Sequence, residues 1–464
     1  MKTGFKVLLL FIFSSLALAT NAQQRHELTA KEAAQYANKN NTLVKNALVD
    51  VQIQAQTNRE ITANAFPQIN GNAGINYFPS IGVQRFPNFI AAGTYGVLTD
   101  EGVKDANGNA IIMPNDFGFI EAAFGSKFNN SVGVDLQQLL FEGQVFVGLQ
   151  ARRTSMEFAQ KNVEVTEENI KANIYKIYYQ LSAGKNQLNI LDANISRLEK
   201  LAGDTRKLYD NGFAEKLDID KVTVQLNNLQ TEKQKVLNTI DNGYIGLKIL
   251  MGMPVKDTLV LTDSVTYDEI RNGVLDATIY NYSDRKEYQY AQLGRQLNEY
   301  NIKRYKLTYY PTVALSSNYA LIRQSDKFGF GGKWNPTSQI GLRVSVPIFD
   351  GFARASRVQK ARLELEQTEN RIEELKLSID SDVQQSINNY SSALITLDNQ
   401  KRNMELAEKV YGQTKKKYEI GTGSTIEINN ADTDLRIAQT NYINALYDAI
   451  ISKIDFLKAT GKLQ

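Results

Sequence analysis

Four stretches of this sequence alternate apolar and polar side chains with a period of two, each over about ten residues. Near 67–78, Ile69, Ala73, Ile75 and Tyr77 oppose Gln68, Asn70, Asn72 and Asn76. Near 129–141, Val132, Val134, Leu136 and Leu140 oppose Ser131, Gly133, Asp135 and Gln137. Near 311–322, Val313, Leu315, Tyr319 and Leu321 oppose Thr312, Ser316 and Asn318, and near 338–349, Ile340, Leu342, Val344, Val346 and Ile348 oppose Gln339, Gly341, Arg343 and Ser345. That length suits a tilted strand crossing a bilayer. Aromatic residues gather near the ends, at Tyr77, Phe78, Phe128, Phe141, Tyr309, Tyr310, Phe328, Trp334, Phe349 and Phe352, as in interfacial girdles. An open sheet of four strands in hydrocarbon leaves two edges of unpaired backbone groups, at roughly several kcal/mol each. Other copies of the chain must therefore close the barrel. Since membrane barrels need about eight strands or more, two or three protomers both satisfy the count.

The prolines, at 67, 79, 87, 114, 254, 311, 336 and 347, leave four long intervals free for helix. Helices are predicted over 143–208, 217–251, 351–418 and 424–460. Val383, Ile387, Tyr390, Leu394 and Leu397 mark an apolar seam in one, and Leu226, Leu229, Val236, Ile240, Tyr244, Leu247 and Leu250 in another. The two longest would reach about 100 Å and need partners along their whole length, so coiled-coil hairpins are expected. Seams alone would equally suit a structural periplasmic coiled-coil protein; the four strands argue against it.

Lys2 and Lys6 precede an apolar run from Val7 to Ala19, too short for a membrane helix, which reads as a secretory signal peptide over 1–22 with cleavage after Ala22. No later stretch is apolar enough for a membrane helix, so a membrane span must use strands. The absence of cysteine excludes disulfides, thiolate sites and a lipid-modified N-terminal cysteine. A net charge of +3, two of it in the signal, gives no electrostatic case for nucleic acid. With one histidine, no cysteine and no compact acid cluster, no catalytic, cofactor or metal site is expected. His26 reads as a solvated residue near the mature terminus, Gly329, Gly331 and Gly332 as loop flexibility, and the charged runs 364–374 and 415–417 as solvated helix faces.

Strand pair, long helix, turn and shorter helix occur twice. Gly133, Phe141 and Gly143 align with Gly341, Phe349 and Gly351, and Tyr209, Gly212 and Gly252 with Tyr418, Gly421 and Gly461. The organisation read from this is a first repeat over 23–253, a linker over 254–283 and a second repeat over 284–464. The connection 79–127, rich in Gly, Asn and Pro, reads as a long irregular extracellular loop, more exposed decoration than lid.

With Leu28-Thr29-x-x-Glu32-Ala33, Asn40-Asn41, Phe66-Pro67, Leu140 to Gly143, Ile348 to Gly351, and Asp284-Arg285-x-Glu287 in this order, the chain resembles the TolC-like outer membrane factors over its mature length. Asp284-Arg285-x-Glu287 lacks the family's proline. The resemblance implies a mainly α fold with a transmembrane β-barrel. In it a homotrimer builds twelve strands in the outer membrane and a periplasmic α-barrel of long helices. It implies a periplasmic adaptor (membrane fusion) protein and an inner-membrane pump of resistance-nodulation or ABC type as partners, serving efflux or type I secretion without catalysis.

Both helix-to-helix turns read Tyr-x-x-Gly with an acid six residues on: Tyr209, Gly212 and Asp218, then Tyr418, Gly421 and Glu427. Spacing suits acids that complement a helix dipole in its first turn, whereas the family's gate acids fall at these positions. Three copies would then set six carboxylates around one aperture. The family's tyrosine bonds across neighbouring coils; here Tyr209 and Tyr418 could do so or cap the seam. Gly212 and Gly421 would be hinges and adaptor-docking tips. The chain has Gly423 where the family can carry an arginine, and Asn430 where it can carry a second acid.

Overall fold

The computed structural model describes residues 24–263, 267–271 and 280–463; the signal-peptide reading lies outside them. In chain order the elements are β1 (Arg25–Leu28), α1 (Ala30–Asn40), α2 (Thr42–Ala63), β2 (Gln68–Tyr77), β3 (Val83–Pro87), α3 (Phe89–Asp100), β4 (Phe119–Ala123) and β5 (Phe128–Phe141). Then come α4 (Gly143–Asp210), α5 (Lys216–Met251), β6 (Thr258–Leu261), α6 (Tyr267–Arg271), α7 (Lys286–Lys306), β7 (Thr312–Ser325), β8 (Asn335–Ser345), α8 (Ala353–Glu419) and α9 (Thr425–Ala459). They fall into two units. One takes the residues up to Thr57 with Ala151–Tyr300 and Lys360–Gln464, the other Asn58–Gln150 with Asn301–Gln359.

In the first unit, paired seams hold the long helices. Leu191 and Leu198 of α4 pack with Val222 and Leu229 of α5, spaced seven apart on each helix as coiled-coil contact requires. Val383, Tyr390 and Leu397 of α8 are buried, with Ile387 and Leu394 packed beside them. Each such side chain contributes about 1.5–3 kcal/mol, and without these contacts helices of 68 and 67 residues would have only weak intrinsic propensity to hold them.

The short motifs that open each half have mechanical roles. Thr29 caps α1 in a capping box: the Glu32 amide donates to the Thr29 hydroxyl (3.2 Å), and the Thr29 amide donates to the Glu32 carboxylate (2.8 Å). Asn41 caps α2, accepting from the Leu43 amide at 2.7 Å, while its Nδ2 donates to the Leu250 carbonyl at 2.6 Å. Arg285, also buried, does the equivalent for the second half, donating from Nη1 to the Ala459 carbonyl at 2.9 Å. Both carbonyls belong to the last turn of a helix, where intrahelical donors have run out. Beside them, β1 and β6 pair in parallel, and Tyr178 of α4 joins both. Its hydroxyl donates to the Leu28 carbonyl and accepts from the Thr262 and Asp263 amides. His26 lies in β1, half-buried, its Nε2 3.5 Å from the Asp257 carboxylate and its ring edge-on to Tyr36. It is therefore no solvated tail residue: strand pairing with Leu259 fixes it.

The second unit is a four-stranded antiparallel sheet in the order β2-β5-β7-β8. Its register puts the alternating faces in line. Ile69, Leu136, Ser317 and Ile340 share one face; Asn70, Asp135, Asn318 and Gln339 share the other. The apolar face is open, with Ile69 65%, Leu342 63% and Ile340 78% exposed. Gly133 serves close approach, since a Cβ there would meet the Tyr319 carbonyl oxygen at 2.8 Å.

Three details depart from the sequence pattern. Strand β8 ends at Ser345, opposite Thr312, leaving Val346, Ile348 and Phe349 outside it. The partner strand has no earlier residue to offer, and Pro347 has no N–H to donate. A register shift between Leu139 and Phe141 sets Phe141, not Leu140, opposite Val313. The connection 79–127 is not irregular: β3 and β4 pair antiparallel, and α3 runs between them, burying none of its residues. The glycine-rich turn between β7 and β8 is likewise pinned, because Arg323 donates to the Gly329 and Gly331 carbonyls and Asn130 donates to Gly329.

Candidate functional site

The turns joining α4 to α5 and α8 to α9 close by the same device. Gly212 has φ 79° and Gly421 φ 77°, the left-handed conformation that disfavours a Cβ. The Gly212 amide donates to the Tyr209 carbonyl and the Phe213 amide to Leu208; Gly421 bonds Tyr418 and Thr422 bonds Lys417 in the same pattern. This Schellman arrangement satisfies the last helical carbonyls and reverses the chain. A Cβ on either glycine would meet nothing within 4 Å, so conformation alone demands glycine there.

Asp218 and Glu427 each occupy the third residue of the helix that follows. Asp218, half-buried, accepts from the Glu215 amide at 3.3 Å. Glu427 is exposed; its own amide donates to the hydroxyl of Ser424, the cap of α9, at 3.2 Å. Both acids thus stand where a negative charge favours a helix start. Gly423 is held differently. A Cβ there would lie 3.0 Å from the Tyr418 nitrogen and 3.2 Å from the Lys417 carbonyl carbon, a tight approach to backbone.

Tyr209 is exposed, whereas Tyr418 turns into a cavity of about 500 Å³ between the ends of α4 and α8. Phe213, Tyr411, Lys200 and Lys415 line it too. The Tyr418 hydroxyl is enclosed and has no hydrogen-bond partner among the described residues. The structure therefore brings Tyr418, but not Tyr209, to the end of the neighbouring hairpin.

A charged cluster beside this cavity was not anticipated. Asp432 of α9, 2% exposed, lies 3.3 Å from Arg197 of α4 and 3.1 Å from Arg436. Arg197 also stands over the Tyr411 ring, 5.2 Å from its centroid, and donates to Asn194. Burial pushes the Asp432 carboxyl above the usual aspartate range, against the pull of the two guanidiniums. The pair Asp432 and Arg436 is legible at helical spacing, but Arg197 lies 235 residues from Asp432 and no local pattern joins them. Among the described residues there is no cluster of His, Cys, Asp and Glu able to hold a metal ion, and no helix long and apolar enough to cross a membrane.

Residues 283–462 match the family model described as "Outer membrane efflux protein". The chain is 20% identical over 338 residues to the outer membrane protein TolC of Vibrio cholerae, covering 72% of this chain and 77% of that one. It is 18% identical over 337 residues to the proteases secretion protein PrtF of Dickeya chrysanthemi, covering 70% and 69%. A solved structure of CusC superposes with a TM-score of 0.73 at 15% identity, covering 93% of this chain and 92% of that one. Seen with the long hairpins, the four-stranded sheet and the glycine-closed turns, these likenesses show that the chain shares the fold of solved outer-membrane channels and that its residues 283–462 carry the pattern of the outer membrane efflux proteins.

Proposed function

We propose that this chain is the outer-membrane exit duct of a tripartite efflux or type I secretion system, passing substrates that an inner-membrane pump delivers through a periplasmic adaptor. The observation that carries this is the sheet. One face is apolar and open, the other is polar, and β2 and β8 are edge strands. Such a sheet is a segment of a barrel wall, and edges in lipid require further copies. Three copies, twelve strands, agree with the family, and the helices then supply a periplasmic tunnel. The names of the relatives, which speak of efflux and of protease secretion, support the transport reading over a structural coiled coil. The connection 79–127 faces outward, as long connections of membrane barrels do.

In this reading the turns at Gly212 and Gly421 form the aperture and meet the adaptor, and Asp218 and Glu427 ring it. The unpartnered Tyr418 hydroxyl supports a bond to a neighbouring coil. Purification in detergent should give a particle of three chains that conducts in steps in a planar bilayer; a monomer that never conducts overturns the proposal. For the gate, Asp218→Asn with Glu427→Gln should weaken cation block from the helical side, and unchanged block would remove the acids from it.

A further inference from the structure

The polar face of the sheet carries one carboxylate and one guanidinium. Along the four strands the residues in register on this face are Asn, Gln, Ser, Thr, Gly, Ala, Leu and Ile, apart from Asp135 of β5 and Arg343 of β8. Asp135 is held from both sides. Asn72 of β2 donates from Nδ2 to its Oδ2, and Asn318 of β7 donates from Nδ2 to its Oδ1. The acid is thereby oriented across three strands, with each oxygen occupied by a neutral donor and no cation neutralising it among the described residues. Arg343 is exposed and forms no ion pair among the described residues.

Register sets how far apart the two charges lie. Asp135 shares its row with Asn318 and Gln339, while Arg343 is opposite Ala314, four residues along β7. At about 3.4 Å per residue that is roughly 14 Å along the strand. The separation exceeds the Debye length of about 8 Å at physiological salt, so the two charges do not cancel as a pair.

We infer that Asp135 and Arg343 form two opposed charge rings in the lumen of the closed barrel, an anionic one and a cationic one nearer the strand ends that lead into α7 and α8, and that together they set its ion preference. The inference rests on the duct reading above, because only closure by further copies turns single residues into rings. Each ring concentrates ions of opposite sign and depletes those of like sign, and salt weakens both effects. The lumen is then a bipolar passage rather than a neutral pipe, and a charged solute meets one attractive and one repulsive band.

Reversal potentials across a salt gradient test this on the full-length chain in planar bilayers. Asp135→Asn should shift the cation-to-anion permeability ratio about twofold toward anions at 0.1 M salt, and Arg343→Gln about twofold toward cations, both shifts shrinking at 1 M. Since Asp135→Asn also alters the contacts of Asn72 and Asn318, Gln339→Glu offers an independent arm. It adds an exposed acid to the same row and should shift the ratio toward cations. Pores whose ratio is unchanged in all three variants at low salt overturn the rings and leave the duct intact. Failure of the unmodified chain to form pores overturns the duct reading and the rings with it.

Discussion

Replacing Gly252 by alanine would place a Cβ 2.3 Å from the Asn40 carbonyl oxygen, whereas the same change at Gly212 would place one in open space. The contrast isolates two reasons for glycine within one motif. All four helix ends, at Gly212, Gly252, Gly421 and Gly461, carry left-handed glycines with φ between 69° and 79° and close with the same pair of backbone bonds. Left-handed backbone costs an L-residue about 1–2 kcal/mol, offset by about 0.4–1 kcal/mol because alanine restricts the unfolded chain. Gly212→Ala and Gly421→Ala should therefore each destabilise by about 1 kcal/mol. Gly252→Ala and Gly461→Ala bear the same backbone cost and, in addition, contacts of 2.3 Å and 2.7 Å with the Asn40 and Asp284 carbonyl oxygens. Relieving those contacts moves the turns that hold the bonds from Asn41 to Leu250 and from Arg285 to Ala459. Overpacking of about 1–3 kcal/mol and partial loss of those bonds raise the total to about 3–5 kcal/mol. Urea unfolding in detergent, followed by far-UV circular dichroism, would rank the four variants at one unfolding rate. Equal losses at all four sites would show that φ alone matters and that the close approaches carry no energy.

Gly423→Arg should cost about 1–2 kcal/mol through its crowding against Lys417 and Tyr418, visible as a lowered melting temperature. Arg285→Ala removes a buried charged donor from the Ala459 carbonyl and from Glu287 and should cost about 2–4 kcal/mol; Arg285→Lys should recover only part of it, since one ammonium does not reproduce the guanidinium fork. The raised Asp432 carboxyl makes the folded chain take up a proton more readily than the unfolded one. Its contribution to stability is thus complete below the ordinary aspartate range and is lost as pH rises through the folded value. Asp432→Asn lacks that slope, so melting at pH 7 and at about pH 4.5 should show the native chain gaining on the variant as pH falls.

The long helices were legible because proline-free stretches with a three-and-four seam have few other folds open to them, and the seam residues are buried or half-buried against their neighbours. The strands were legible from their period of two. Their order was not: β5 is joined to β7 rather than left at an edge, and alternation says nothing about neighbours. The end of β8 and the bulge at Phe141 depend on what the opposite strand offers, which is tertiary information. Helix α3 was missed because Phe89-Ile-Ala-Ala-Gly-Thr-Tyr-Gly-Val has no apolar stripe and two glycines. At the candidate site, the turn glycines and the acids in the following helices could be read locally. The cluster of Arg197, Asp432 and Arg436 could not, because its members meet only when two distant hairpins pack.

The joining of β5 to β7 also has a consequence in time. Where the sheet's centre closes, the Lys127 amide donates to Asp326, 199 residues further on. At a synthesis rate of about 5–20 residues per second, the β2–β5 hairpin precedes its partner by roughly 10–40 seconds. Through that interval an apolar hairpin waits with the edge of β5 unpaired, in the company of other nascent chains with the same edge. Shielding of that early hairpin until the second half arrives is thus a requirement on folding separate from the stability of the finished form.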